Sequence, residues 1–88
     1  MLKVFEIIQD DGQQICIIVA ESVSNAQEAF TEYYGEQFPK DAIKDYSKKL
    51  HKKLLVIDEI GTTVSFAERY DIRKLSDGWI LENEVLTP

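Results

Sequence analysis

Val4-Phe5-Glu6-Ile7-Ile8-Gln9-Asp10-Asp11-Gly12-Gln13-Gln14-Ile15-Cys16-Ile17-Ile18-Val19-Ala20 sets Asp11-Gly12 between two apolar runs. Asp-Gly supplies the two positive-φ residues of a type I′ turn, whose twist matches its flanking strands, so residues 2–21 read as a β-hairpin. A two-residue loop opposes Ile8 to Ile15, Ile7 to Cys16, Phe5 to Ile18 and Val4 to Val19. One face then carries Phe5, Ile7, Cys16, Ile18 and Ala20; the other carries Leu2, Val4, Ile8, Ile15, Ile17 and Val19, interrupted by Glu6. Both faces are apolar, whereas an antiparallel sheet with one wet side alternates cleanly. The second face therefore needs a cover, either the C-terminal segment around Trp79 or another copy of the chain. A homodimer is the simpler solution, because a two-fold interface reuses one patch.

Beyond the hairpin, Ser22 or Ser24 caps a helix with Val23, Ala26, Phe30 and Tyr33 on one face and Ala29 beside them, ended by Gly35. Ser24 with Gln27 matches a capping box. A shorter second helix is expected from Phe38-Pro39, with Ile43, Tyr46 and Leu50 at spacings of three and four and lysines at its end. Leu54 to Ile60 reads as a buried strand halted by Gly61, and the even positions Val64, Phe66, Tyr70 and Ile72 favour extended structure, although Glu68 breaks the series. Ser76-Asp77-Gly78 signals a turn, and Trp79, Leu81 and Val85 suggest a last strand making a hairpin with the one before it. The fold class is α+β, with residues 1–88 as a single domain whose antiparallel strands form one sheet.

A hydrophobic content of 44% with 30% charged residues fits a globular chain rather than a disordered one. No apolar run approaches a membrane span of about 18 residues, and Met1-Leu2-Lys3 leads into a strand rather than a signal sequence, which points to a cytoplasmic protein without membrane association. The single cysteine excludes an internal disulfide. Charge is unevenly spread. Between Lys40 and Lys53, six lysines stand against Asp41 and Asp45, so this segment carries +4 and the remainder −10 in a chain of net charge −6.

The hairpin end Val19-Ala20-Glu21-Ser22, the helix bearing Glu28-Ala29, and the later strand ending Ile57-Asp58-Glu59-Ile60-Gly61 resemble small ββαβ-type accessory proteins of phages and other mobile elements. The resemblance spans about the first two thirds of the chain, carries no catalytic motif, and implies action by binding.

Few residues offer chemistry. Cys16 stands among isoleucines, where burial disfavours the thiolate that nucleophilic catalysis needs. His51 is flanked by Lys49, Lys52 and Lys53, which oppose its protonation and repel a cation, and no further zinc ligands stand at suitable spacing. Of the carboxylate pairs Asp10-Asp11, Asp58-Glu59 and Glu82 with Glu84, the last would share one side of a strand, as a hydrolase or Mg²⁺ site requires, but reads as a solvated edge. Gly12, Gly35, Gly61 and Gly78 stand singly and form no phosphate loop. The reading is therefore a non-catalytic protein-binding or regulatory module with no cofactor and no metal. Its partner surfaces are Val4, Ile15 and Ile17 on the hairpin and Trp79, Glu82 and Glu84 near the C-terminus. The alternative is nucleic-acid binding through Lys44, Lys48, Lys49, Lys52 and Lys53.

Overall fold

The computed structural model of the chain describes residues 1–9, 12–38, 42–46, 50–57, 60–82 and 85–86. Strands β1 (Lys3–Ile8) and β2 (Gln14–Ala20) pair antiparallel, with Ile7 opposite Cys16, Phe5 opposite Ile18 and Val4 opposite Val19, the register expected from the sequence. The tip differs. The Gln9 N–H donates to the Gln13 carbonyl at 2.6 Å and the Gly12 N–H to the Gln9 carbonyl at 2.8 Å, so three residues close the loop, not two. Gly12 takes a φ of 85°, as a loop of this length ending in a left-handed residue requires. The longer loop sets Ile8 against Gln14 instead of Ile15, and the shift between Ile7 and Ile8 restores the expected register. Asp10 and Asp11, on which the type I′ expectation partly rests, lie outside the described residues.

Helix α1 (Val23–Tyr34) follows, with Ser22 as its N-cap: the Asn25 N–H donates to the Ser22 hydroxyl at 3.1 Å, so the capping role falls on the earlier serine. Gly35 closes it in the left-handed conformation. The inward row runs Ala26, Phe30, Tyr34 in steps of four, and the Phe30 and Tyr34 rings stand 4.6 Å apart. Val23 and Tyr33, expected on the buried face, are instead exposed by 42% and 59%.

The expected helix from Phe38 to Leu50 is not what the described residues form. Ile43–Asp45 make strand β3, which pairs with β1 by setting Phe5 against Asp45, Glu6 against Lys44 and Ile7 against Ile43. The open edge of β1 offers backbone donors and acceptors, and this tertiary partner outweighs a weak helical spacing. Residues 39–41 and 47–49 of the expected helix lie outside the described residues. A 3-10 turn at Leu50–Lys53 leads into β4 (Leu55–Ile57), shorter than the expected Leu54 to Ile60 strand, and Ile60 is exposed.

Strand β5 (Thr63–Ser65) pairs with β4, as expected for extended structure, but the chain then turns into a short helix, α2 (Phe66–Arg69). Glu68, which interrupts the even-numbered apolar series, is the reason: its backbone N–H donates to the Ser65 hydroxyl at 3.2 Å while its carboxylate accepts from the Ser65 N–H at 3.3 Å. This reciprocal capping box starts the helix. After a second 3-10 turn (Ile72–Lys74), the predicted turn at Ser76-Asp77-Gly78 is present. Asp77 ties it to α1, accepting from the Glu21 N–H at 3.1 Å and from Asn25 Nδ2 at 3.0 Å.

Strand β6 (Trp79–Leu81) does not make a hairpin with the residues before it. It pairs with β2, Ile18 opposite Ile80, while Val85 belongs to a separate strand, β7 (Val85–Leu86), paired with β4. The described residues thus form two antiparallel sheets, ordered β3-β1-β2-β6 and β5-β4-β7, in place of the expected one.

This second layer answers the question posed by the doubly apolar hairpin. Phe5, Ile7, Cys16, Ile18 and Ala20 pack against Ala26 and Phe30 of α1. On the opposite face, Val4, Ile17 and Val19 pack against Leu54, Val56, Phe66 and Leu81, with Tyr70, Ile72 and Trp79 at the margin. The chain covers both faces itself, which removes the reason for expecting a homodimer to cover the second one. Burying each large apolar side chain contributes about 1.5–3 kcal/mol, so the buried central strand β2 anchors both layers.

Candidate docking surface

Because α1 covers one face of the hairpin and Leu54, Val56, Phe66, Tyr70 and Ile72 pack over the other, the uneven charge of the sequence becomes a difference between two sides of the molecule. Residues 21–38, which include α1, contain no lysine or arginine. Their exposed side includes Glu28, Glu32 and Glu36. Between α1 and the 76–78 turn lie two adjoining shallow hollows of about 230 and 290 Å³, lined in common by Ala29, Glu32, Asp77 and Gly78. Tyr33 borders the second hollow. Its hydroxyl faces the Glu82 carboxylate, and the hydrogen bond and negative charge there push the phenol above its ordinary range.

The other side gathers most of the described cations. Arg69, Arg73 and Lys74 join the exposed Lys52 and Lys53, and a hollow of about 560 Å³ is lined by Lys52, Arg69 and Arg73 with the carboxylates Glu68 and Asp71, and by Tyr70 and Ile72. The Arg69 guanidinium lies 5.9 Å from the centre of the Tyr70 ring. Arg73 grips Asp71 through two hydrogen bonds, Nε to Oδ1 at 3.0 Å and Nη2 to Oδ2 at 3.1 Å, which hold the aspartate below the usual carboxylate range.

The sequence-derived sites are redistributed. Val4 and Ile17 have no exposed surface and belong to the core beneath the second sheet, so the hairpin patch is not a docking surface. Ile15 is partly buried against the α1-side core. Trp79 is half-buried, its ring 5.0 Å from that of Tyr70 and 6.1 Å from that of Phe66. Glu82 is exposed, while Glu84 lies outside the described residues, as do Lys48 and Lys49. Lys44 is exposed on β3, well separated in sequence from Arg69, Arg73 and Lys74, which the sequence reading did not single out. A signal for these existed: every cation but Lys3 falls between Lys40 and Lys74.

Buried polar groups remain. Cys16 is fully buried, and burial pushes its thiol up to about 11, opposed by the Tyr34 hydroxyl beside it. Glu6 is only 3% exposed, and burial raises its carboxyl, opposed by the Tyr46 hydroxyl, which donates to it at 3.2 Å, and by Lys44. Among the described residues, no group of three His, Cys, Asp or Glu side chains is placed to hold a metal ion, and no helix is long and apolar enough to cross a membrane.

Comparison with protein-family models, with curated proteins and with solved structures found no significant match.

Proposed function

We propose that the chain is a non-catalytic protein-binding module, an accessory or regulatory protein of the kind its resemblance to phage and mobile-element proteins implies, acting in the cytoplasm through the outer face of α1. The observation that carries this reading is the exposure of Tyr33, beside Glu32 and Glu82, on a helix free of cations. An aromatic centre with a charged rim is the composition of partner surfaces, and its sign selects a basic partner. The raised thiol of Cys16 supports the non-catalytic part, since a nucleophile needs the thiolate.

The test is affinity capture from the native host with the wild-type chain and with Glu28→Lys/Glu32→Lys as baits. The reading expects a basic protein retained by the first and lost with the second. A partner captured equally by both baits overturns the assignment of the face.

The second reading, nucleic-acid binding, is favoured by one observation: the structure brings Arg69, Tyr70 and Arg73 to the same hollow as Lys52, where sequence alone offered a single lysine-rich segment. Lys44 and Lys53 would extend such a surface.

A further inference from the structure

We infer that the two oppositely charged sides recognise each other between copies, the outer face of α1 of one molecule docking, with Tyr33 leading, into the cationic hollow beside α2 of the next. This rests on the proposal that the outer face of α1 is a docking surface, and it names an occupant, a second copy of this chain.

Charge is the first argument. The donor face carries Glu28 and Glu32 beside the exposed Tyr33 and no cation, whereas Lys52 and Arg69 of the hollow are not paired with a carboxylate among the described residues. Arg73 is already held by Asp71, so Lys52 and Arg69 are the groups left to meet incoming carboxylates. Shape is the second. The hollow of about 560 Å³ has room for an aromatic side chain, and Tyr70 with Ile72 gives it an apolar wall. The hollow's own carboxylates are engaged, Asp71 by Arg73 and Glu68 by the Ser65 N–H, so a tyrosine projecting among carboxylates complements the aromatic wall and the Lys52 and Arg69 cations beside it.

The two surfaces lie on opposite sides of the hairpin, one over each core. One molecule therefore cannot satisfy its own pair, and a contact between unlike patches leaves a free patch at each end, so association runs head to tail instead of closing as a two-fold dimer. The net charge of −6 opposes this through repulsion between whole molecules. At physiological salt the Debye length is about 8 Å. That is short against the 21 to 32 Å dimensions of the molecule, so distant charges are screened while facing pairs are not.

Sedimentation velocity over rising concentration tests the inference with the wild-type chain and two neutralised variants, Tyr33→Ala/Glu32→Gln and Lys52→Gln/Arg69→Gln, each altered only at exposed or half-exposed positions and checked for retained fold by circular dichroism. The expected result is wild-type association at 0.15 M salt that is lost in 1 M salt. Each variant alone stays monomeric. Their equimolar mixture forms a one-to-one dimer and nothing larger, because each supplies the one face the other lacks. Wild type that stays monomeric to millimolar concentration overturns the inference, and so does a variant that still self-associates. Titration with an oligolysine peptide separates this failure from that of the α1 docking reading. Peptide bound by monomeric wild type and lost by Tyr33→Ala/Glu32→Gln leaves the docking face standing and rejects only self-docking; no peptide binding rejects both.

Discussion

The Tyr46 hydroxyl donates to the Glu6 carboxylate at 3.2 Å, joining the residue after edge strand β3 to the one buried acid among the described residues. A hydrogen bond to a buried charged group contributes about 1.5–3 kcal/mol. Tyr46→Phe should therefore lower stability by an amount in that range, measured by urea denaturation at neutral pH. The pH dependence has a definite sign. Because burial raises the Glu6 carboxyl in the folded state, the folded chain binds this proton more readily than the unfolded one. Its contribution to stability thus falls as pH rises through the window between the unfolded carboxyl range and its raised folded value, and improves on acidification through the same window. Glu6→Gln should flatten that dependence. An unchanged stability–pH curve in Glu6→Gln would show that Glu6 does not titrate differently on folding.

Gly12 supports a prediction about the hairpin tip. At a φ of 85° the backbone is in a region that L side chains rarely adopt, yet a Cβ there would meet nothing within 4 Å. The penalty for Gly12→Val is therefore one of backbone strain alone, about 1–2 kcal/mol. Thermal melting should show a lowered midpoint with the fold intact by circular dichroism.

Phe66 tests the second layer, which the sequence did not make legible. It is fully buried against Val4, Ile17 and Val19 although it belongs to a helix of four residues. Phe66→Ala should cost about 3–5 kcal/mol, the range for removing a buried aromatic ring. Ser65→Ala, which removes only the cap, should cost about 0.5–2 kcal/mol. A smaller loss for Phe66→Ala than for Ser65→Ala would contradict the core assignment.

The contrast with the first layer has a physical basis. The hairpin and α1 were readable because strands of six and seven residues display their alternation, and because Ser22 and Gly35 mark the two ends of a twelve-residue helix. Strands β3, β4, β5 and β6 have three residues each, too few for a period to declare itself. At Ser65 and Glu68 the capping signal was present but looked like an interruption of a strand. The doubly apolar hairpin correctly announced a second cover, yet its source depends on non-local pairing of Leu81 with Ile17, which no local pattern records. For the same reason Val4 and Ile17 looked like a docking patch, while Tyr33, read as core, is the exposed side chain.

Cys16 should resist thiol reagents in the native state. Its side chain has no exposed surface and burial pushes the thiol up to about 11, so both access and thiolate are lacking. Labelling by a disulfide reagent should be slow without denaturant and become fast in concentrated urea. Native labelling at the rate of a free cysteine would contradict the packing of Cys16 against Phe30 and its neighbours.

The last prediction separates protein docking from nucleic-acid binding. On the cationic side, Lys52, Lys53, Arg69, Arg73 and Lys74 are exposed among the described residues, and Arg73 is held by Asp71. With these five engaged on duplex DNA, log affinity would fall against log salt with a slope of about −4.5. The rest of the molecule works against such binding, because α1 and its surroundings add only negative charge. Fluorescence anisotropy with labelled DNA and RNA should therefore show no binding even at low salt, where phosphate attraction is strongest. Binding with a clear negative salt slope, lost in Lys52→Gln/Arg69→Gln and kept in Tyr33→Ala/Glu32→Gln, would instead assign the function to the cationic side.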